Sequence, residues 1–320
     1  MTRIILSVVL LTISAGVFAQ GSYPNKPIRL VVAWPPGSII DVLVRIMSEP
    51  LSAELGQPMV IDNKAGAAGV IGADAVAQAA PDGYTLLFTS AALNMVSAMG
   101  TKTNYRMPES FTPIVNVAHS PMILVAHPSL NLKSPQDLVA LAKSKPGELF
   151  YATAGNGAPS HFTAELFRAR TGIRATPVPF RGSPQAMTEQ IAGRVAFHFA
   201  VSSTALPPVR DQRVVALATT SKKRLTVAPE IPTMEELGYA NFNASYWNGI
   251  LGPAGLPQPI AERVAAAVNK VLARPDVLQR TAPSANEIDG KSSPQHMAAM
   301  IKEDYATWAD VVRVANIKPE

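Results

Sequence analysis

From residue 28 onward the chain alternates short, unbroken apolar runs with helix-patterned segments, joined by turns of small residues. Residues 28–33 read IRLVVA, Trp34-Pro35-Pro36-Gly37 ends that run, and Leu43, Ile46, Met47 and Leu51 then recur at helical spacing. The order repeats. Residues 59–62 form a second short run, 64–69 are glycine-rich, 70–80 are alanine-rich and helical, Pro81-Asp82-Gly83 turns the chain, and 85–89 give a third strand. Strands that do not alternate polar with apolar residues are covered on both faces, so the pattern predicts an α/β fold of mostly parallel sheets flanked by helices.

A second set of units starts at the apolar strand 122–126. Ser134 as N-cap, Pro135 at N1 and Asp137 at N3 open a helix. Strand 149–152 leads through Thr153-Ala154-Gly155-Asn156-Gly157 into a helix carrying Phe162, Leu166 and Phe167, and further strands are expected at 175–180, 195–199 and 214–219, with a helix at 185–192. The chain closes with a strand at 247–251, a helix carrying Ile260, Val264, Val268, Val271 and Leu272, and a long helix at 294–317. That last helix has an apolar stripe of Met297, Ile301, Trp308, Val311 and Val312. The expected organisation is two α/β domains, the second inserted into the first: 20–120 with 246–320, and 121–245.

Composition narrows the function classes. At 320 residues, 48% hydrophobic and 16% charged, the chain has the make-up of a packed globular protein with room for two cores. It has no cysteine, which excludes disulfide frameworks, thiolate metal sites, iron–sulfur clusters and thiol nucleophiles. The net charge of +5 is spread along the sequence, and the longest basic run is Lys222-Lys223-Arg224, so nucleic-acid binding is not supported. A mild positive excess suits attraction of small anions. Residues 1–19 carry Arg3 and then an apolar stretch, with Val17 and Ala19 before an expected cut; this reads as a secretory signal peptide cleaved after Ala19. The stretch is shorter than the roughly 20 residues a membrane span needs.

In open α/β sheets ligands gather beyond the carboxyl ends of the strands, where helix N-termini present free amides. The loops there are Pro35-Pro36-Gly37-Ser38 before Asp41, then 65–69, then Thr89-Ser90-Ala91; the second domain offers 153–161, Arg181-Gly182-Ser183 and 200–204. Nearly all these residues are small or hydroxylic, which lets backbone N–H groups reach an oxyanion. Each hydrogen bond to a charged acceptor is worth roughly 1.5–3 kcal/mol. Glycines in strand-to-helix turns also serve plain backbone geometry, so the case rests on six such loops together. Neither a Walker nor a dinucleotide fingerprint is present, and no His-x-x-x-His, His-Glu-x-x-His or Gly-x-Ser-x-Gly spacing occurs. His161 beside Ser160 suits a polar ligand contact or a cap better than a general base. Asp41 is either a ligand group or a complement to its helix dipole. Trp34 is expected to wall a pocket or to pack.

The segments VVAWPPGSIID, DNKAGAAGVIGADAVAQAAPDGYTLLF, YATAGNGAPSHFTAELF, VPFRGSPQAMTEQIAGRV, IPTMEELGY and WNGILGPAGLP resemble the Bug-type substrate-binding receptors of tripartite tricarboxylate transporters. The likeness spans essentially the mature chain. It implies a periplasmic two-domain Venus-flytrap protein with the ligand cleft between domains, without enzymatic activity or cofactor, acting as a monomer. Such a receptor captures a small carboxylate and delivers it to the membrane subunits of a transporter. Carried over by position, the family's loops place Pro36, Gly37 and Ser38, then Gly66, Ala67, Ala68 and Gly69, and from the second domain Thr153, Gly155, Asn156, Ser160 and Arg181 at the ligand. Trp34, Asp41, Ser90, His161, Ala200 and Ser202 complete the candidate set. Relatives commonly have Gly-Gly at Gly37-Ser38, Pro-Gly-Ala-Gly-Gly at 65–69, and aspartate at Ala200. Alanine at 200 removes a partner for an ammonium group, while Arg181 and His161 favour a second carboxylate and Trp34 a flat body, so a di- or aromatic carboxylate is expected. The competing readings are a ligand-sensing receptor for a membrane signalling partner and, less well supported, a periplasmic hydrolase or isomerase.

Overall fold

A computed structural model of the chain describes residues 23–242, 244–315 and 317; the segment read as a signal peptide lies outside the described residues. In chain order the elements are β1 (Ile28–Val32), α1 (Ile39–Leu55), β2 (Met59–Asn63), α2 (Val70–Ala77), β3 (Thr85–Ser90), α3 (Ala92–Ala98) and β4 (Phe111–Ser120). Then come β5 (Met122–Ala126), α4 (Pro135–Ser144), β6 (Leu149–Thr153), α5 (Pro159–Thr171), β7 (Ala175–Pro179), α6 (Ser183–Ile191), β8 (Phe197–Val201), α7 (Ser202–Arg210) and β9 (Val215–Thr219). The chain ends with β10 (Tyr246–Pro253), α8 (Gln258–Leu272), α9 (Pro275–Thr281), β11 (Glu287–Ile288) and α10 (Pro294–Ala315).

Local chemistry sets the helix ends, at α4 as the sequence placed it. Ser38 caps α1 by accepting the Asp41 N–H, and Gly56 closes it in the left-handed region at φ 75°. Ser134 caps α4 in the same way, with Pro135 at the first position and Asp137 in the first turn.

Among the described residues the strands form two sheets, six strands in the order β11-β4-β10-β3-β1-β2 and five in the order β7-β6-β8-β5-β9. Each sheet is mixed, which corrects the expectation of mostly parallel sheets. β1 is parallel to β2 and β3, and β6 to β7 and β8, whereas β10, β11 and β5 pair antiparallel with their neighbours. A crossover helix returns the chain to run parallel, but β5 follows β4 after Pro121 alone, and β10 re-enters the first sheet from the second. No crossover dictates their direction. One strand lies two residues later than expected, at Phe197–Val201.

Apolar clusters hold the lobes, of which three carry most of the packing among the described residues. α1 and α8 cover one face of the first sheet, with Leu43, Met47 and Leu51 in a cluster with Val264, Val268 and Leu272. Burying each such side chain is worth about 1.5–3 kcal/mol. In the second sheet Ile123, Val125 and Ala200 join Met187, Ala205 and Leu206. The third cluster is continuous across both sheets, running from Leu87 and Leu93 through Trp247 and Trp308 to Phe162, Phe167, Phe197 and Phe199. α10 lies across that junction, packed on α3 and β4 of one lobe and on α5 of the other. Among the described residues no helix is long and apolar enough to cross a membrane.

Candidate functional site

The candidate loops lie where the fold places ligands, at the carboxyl ends of the parallel strands of both sheets. Two flanks bring the lobes together. The first turns of α1 and α7 share a groove of about 260 Å³ lined by Ile39, Val42 and Ser203 among others. On the other flank Gly157 faces the end of α3 so closely that a Cβ there would lie 2.8 Å from the Met99 Cε.

In the loop after β1, Pro36 and Gly37 are exposed and Ser38 is half-buried. Asp41 organises this loop from beneath. Its Oδ2 accepts the Gly37 N–H and the Arg45 Nε, both at 2.8 Å, and its Oδ1 accepts the Asn63 Nδ2 at 2.8 Å. Burial alone would raise the Asp41 pKa, but the hydrogen bonds from Arg45, Gly37 and Asn63 outweigh it and hold the group below the usual carboxylate range. Asn63 also donates to the Trp34 carbonyl at 3.0 Å, which fixes the turn after β1. Trp34 is half-buried, and its indole nitrogen has no partner among the described residues.

The loop after β2 is a single left-handed turn. Gly66, Ala67, Ala68 and Gly69 have φ of 132°, 47°, 52° and 97°, and the Gly69 N–H bonds back to the Gly66 carbonyl at 3.0 Å. Among the described residues nothing accepts the N–H groups of Ala67 or Ala68, so successive amides are left for an anion. After β3, Ser90 is buried and its Oγ accepts the Ala92 N–H at 3.3 Å.

The second lobe builds its loop in a similar way. Thr153 Oγ1 accepts the Gly155 N–H at 3.2 Å, Ser160 Oγ accepts the Ala154 N–H at 2.8 Å, and His161 Nδ1 accepts the Gly157 N–H at 3.3 Å. His161 Nε2 lies 3.9 Å from Glu165, whose carboxylate also accepts the Tyr151 hydroxyl and, at 2.5 Å, Arg168. Ser160 and His161 thus shape the loop backbone. Asn156 is exposed at its tip. Arg181 follows β7; its N–H donates to Gln185 at 2.9 Å, and its exposed guanidinium pairs with no carboxylate among the described residues.

Two candidates turn inward. Ala200 is fully buried in the core with Ile123, Ala205 and Leu206 and presents no surface to a ligand. Ser202 is buried, and its N–H and hydroxyl both bond to the Pro121 carbonyl, at 3.1 and 2.8 Å, which ties α7 to the crossing between sheets. Three residues escaped the sequence reading: Asn63, which orients Asp41, and the pair Asn94 and Asp304, in which the Asn94 Nδ2 donates to Asp304 Oδ2 at 2.7 Å. Thr89 was named in the loop after β3 but not among the candidate ligand residues. Its fully buried hydroxyl has no partner among the described residues, and a Cβ on Gly69 would lie 3.8 Å from it. Strand alternation was the available signal, since Thr89 shares a face with Leu87, not with Ser90.

Comparison with known proteins fits this geometry. Residues 43–317 match the model of the tripartite tricarboxylate transporter family receptor. The chain is 35% identical to protein BugT of Bordetella pertussis over 324 residues, covering 99% of each. It superposes on MatC of Rhodopseudomonas palustris, solved with bound malate, at a TM-score of 0.78 with 30% identity, covering 91% of this chain and 100% of that one. A second protein of that organism, solved with adipate, gives a TM-score of 0.80 with 29% identity, covering 93% and 100%.

Proposed function

Because the chain belongs to the tripartite tricarboxylate transporter receptor family, a family of periplasmic solute-binding proteins, we propose that it captures a small dicarboxylate between its two lobes for the membrane subunits of such a transporter. The observation that carries this reading is the left-handed turn Gly66–Gly69, whose free amides at Ala67 and Ala68 suit one carboxylate. Arg181, exposed and without a carboxylate partner among the described residues, suits a second. The malate and adipate of the two structural neighbours support a dicarboxylate. Neither Ala200 nor His161 contributes to that preference, since one is in the core and the other is engaged with its own loop. Trp34, half-buried beside the first loop, leaves room for an aromatic acid as the alternative. In the same reading, 20–120 with 246–320 form one domain and 121–245 the other. The chain is cut near Ala19, is released to the periplasm, and works as a monomer without catalysis.

Ligand-stripped protein heated with malate, adipate, benzoate, aspartate and glutamate tests this. At a hundredfold excess over Kd a binding acid stabilises the fold by about 2.7 kcal/mol. Malate or adipate should raise the Tm more than the amino acids do, and Arg181→Ala should abolish the difference between di- and monocarboxylates. A panel in which no carboxylate raises the Tm overturns the reading.

A further inference from the structure

The groove of about 260 Å³ between the first turns of α1 and α7 takes its walls from both lobes, and none of the candidate ligand residues lines it. Ile39, Val42, Leu43 and Ile46 line it from α1, a spacing of three and four residues that puts them on one helix face. Leu43 and Ile46 are buried in the core cluster beneath and supply the floor, while Val42 stays 42% exposed. Arg280 and Thr281 at the end of α9, with Pro283 and Ser284 of the turn Ala282–Ser284 that follows it, add a second wall of the first lobe. Ser203 of α7 is the contribution of the second lobe.

The polar groups of this lining are unevenly engaged. The Thr281 hydroxyl bonds to the Val277 and Leu278 carbonyls at 2.9 and 3.1 Å. The Ser284 hydroxyl donates to the Thr281 carbonyl at 2.6 Å and accepts the Asn286 N–H at 3.3 Å. By contrast the Arg280 guanidinium and the Ser203 hydroxyl have no partner among the described residues. No acidic residue lines the groove, and the acids of the flanking helices are taken up elsewhere. Asp41 pairs with Arg45, Glu54 with Lys270 and Asp276 with Arg274, on which Glu49 also acts. A free cation and a free hydroxyl beside apolar walls suit a chain that carries an anion at one end.

We propose that this groove is a second binding site, for a short unbranched aliphatic monocarboxylate. Its chain lies along α1 against Ile39, Val42 and Pro283, and its carboxylate meets Arg280 and Ser203. A dicarboxylate does not suit the groove, because its second carboxylate would lose water against Ile39 and Val42 with no cation to receive it. The groove is thus complementary to a different acid from the one that Ala67, Ala68 and Arg181 suit. Because Ser203 belongs to the second lobe and the other lining residues to the first, the bound acid touches both lobes.

Calorimetry on the purified protein with butanoate, hexanoate, octanoate and hexan-1-ol tests this. Affinity should rise about fourfold for each added CH2 while the chain still fits, the gain from burying one methylene. Hexan-1-ol should bind about tenfold more weakly than hexanoate, and Arg280→Gln should weaken hexanoate by about the same factor, since each loses a hydrogen bond to a charged group. Val42→Glu should abolish hexanoate binding by setting a carboxylate on the groove wall. Both positions are exposed, so both variants should melt with the wild type and keep its affinity for adipate. A series in which no acid binds at millimolar concentration, an affinity that ignores chain length, or an Arg280→Gln protein that binds hexanoate as tightly as the wild type overturns the proposal. Hexanoate that adipate displaces and Arg181→Ala abolishes belongs to the cleft between the ligand loops. A dimer in sedimentation that Val42→Glu dissolves, with no acid bound, gives the groove to a second copy of the chain. Either result also overturns the proposal. If a variant does not fold, the chain-length series and the competition with adipate, both on the wild type, still decide. Adipate that does not bind counts against the ligand-capture reading, while the hexanoate measurements alone decide this site.

Discussion

Gly37 and Asp41 are tied across the first turn of α1: the Gly37 N–H donates to Asp41 Oδ2 at 2.8 Å, while the Asp41 N–H donates to Ser38 Oγ at 3.2 Å. The acidic side chain thus acts as an internal brace for the first candidate loop. Arg45 and Asn63 donate to it as well, so three donors hold the loop in one arrangement.

Replacing that brace should separate order from chemistry. Asp41→Asn keeps the shape but loses the charge-assisted bond to Arg45 and turns an acceptor into a donor, a loss of roughly 1.5–3 kcal/mol. Because the Asp41 pKa is lowered in the folded state, the stability it supplies is present above the ordinary carboxylate pKa and is lost as pH falls through the folded value. Wild type and variant should therefore differ in urea midpoint at pH 7 and converge at the acid end. Adipate affinity should drop at least tenfold at pH 7, measured by calorimetry; unchanged affinity in a folded variant would show that the first loop needs no brace.

The turn after β2 stores strain at alanines. Ala68 has φ 52° and ψ 31°, a conformation that costs an L-residue about 1–2 kcal/mol. Glycine relieves that cost, though its looser unfolded chain offsets roughly 0.5–1 kcal/mol of the gain. Ala68→Gly should raise stability by up to about 1 kcal/mol without weakening adipate binding, while Ala68→Val should lower both. Thermal denaturation with and without adipate reads the two effects separately.

The strands of the parallel units were legible because each is an unbroken apolar run followed by small residues, as at 28–37 and 149–157. The candidate loops follow from those strand ends, so their places in the fold were legible too. Orientation was not. Ala200 and Ser202 sit at a strand end like the other candidates, but the pleat turns Ala200 into the core and the chain crossing draws Ser202 onto Pro121. α7 was hidden by Pro207 and Pro208, which its C-terminal half accommodates. The bond between Asn94 and Asp304 joins residues 210 apart in sequence, and no local pattern announces such a pair.

Ala200 offers a direct test of orientation. A residue facing ligand would let Ala200→Asp alter affinity in a stable protein. Buried among Ile123, Ala205 and Leu206, an aspartate there has no cation to pair with, and the expected cost is several kcal/mol of stability. Circular dichroism melting should show a Tm lowered by many degrees at pH 7, partly recovered at pH 5 as the new carboxylate takes up a proton. A variant with wild-type Tm and altered adipate affinity would place this side chain in the gap.

His198 is a second group whose burial has a measurable sign. It lies on β8 with no surface exposure, beside Val125 of β5 and Ala152 of β6, and neither ring nitrogen has a partner among the described residues. Burial pushes its pKa down to about 3. The unfolded chain protonates near the ordinary histidine value while the folded protein does not, so stability is fully present above about pH 6.5 and falls as pH drops toward 3, by about 1.4 kcal/mol per pH unit. At pH 5 the loss is about 2 kcal/mol relative to pH 7.5. Asp304, with its raised pKa, works in the opposite direction: its protonation restores stability as pH falls from about 6 toward the unfolded carboxylate value. His198→Met removes two unpartnered nitrogens while keeping similar bulk, and should stabilise the fold at pH 7.5 by about 1–3 kcal/mol. It should also shift the pH 7.5 to 5 change in urea midpoint toward an increase, because buried His119, whose pKa is likewise lowered, is then the histidine that still opposes the Asp304 contribution. In the double variant with Asp304→Asn both contributions vanish, and a smaller decrease toward pH 5 should remain from His119. A His198→Met protein that loses as much stability between pH 7.5 and 5 as the wild type would mean that the imidazole takes up its proton inside the folded core.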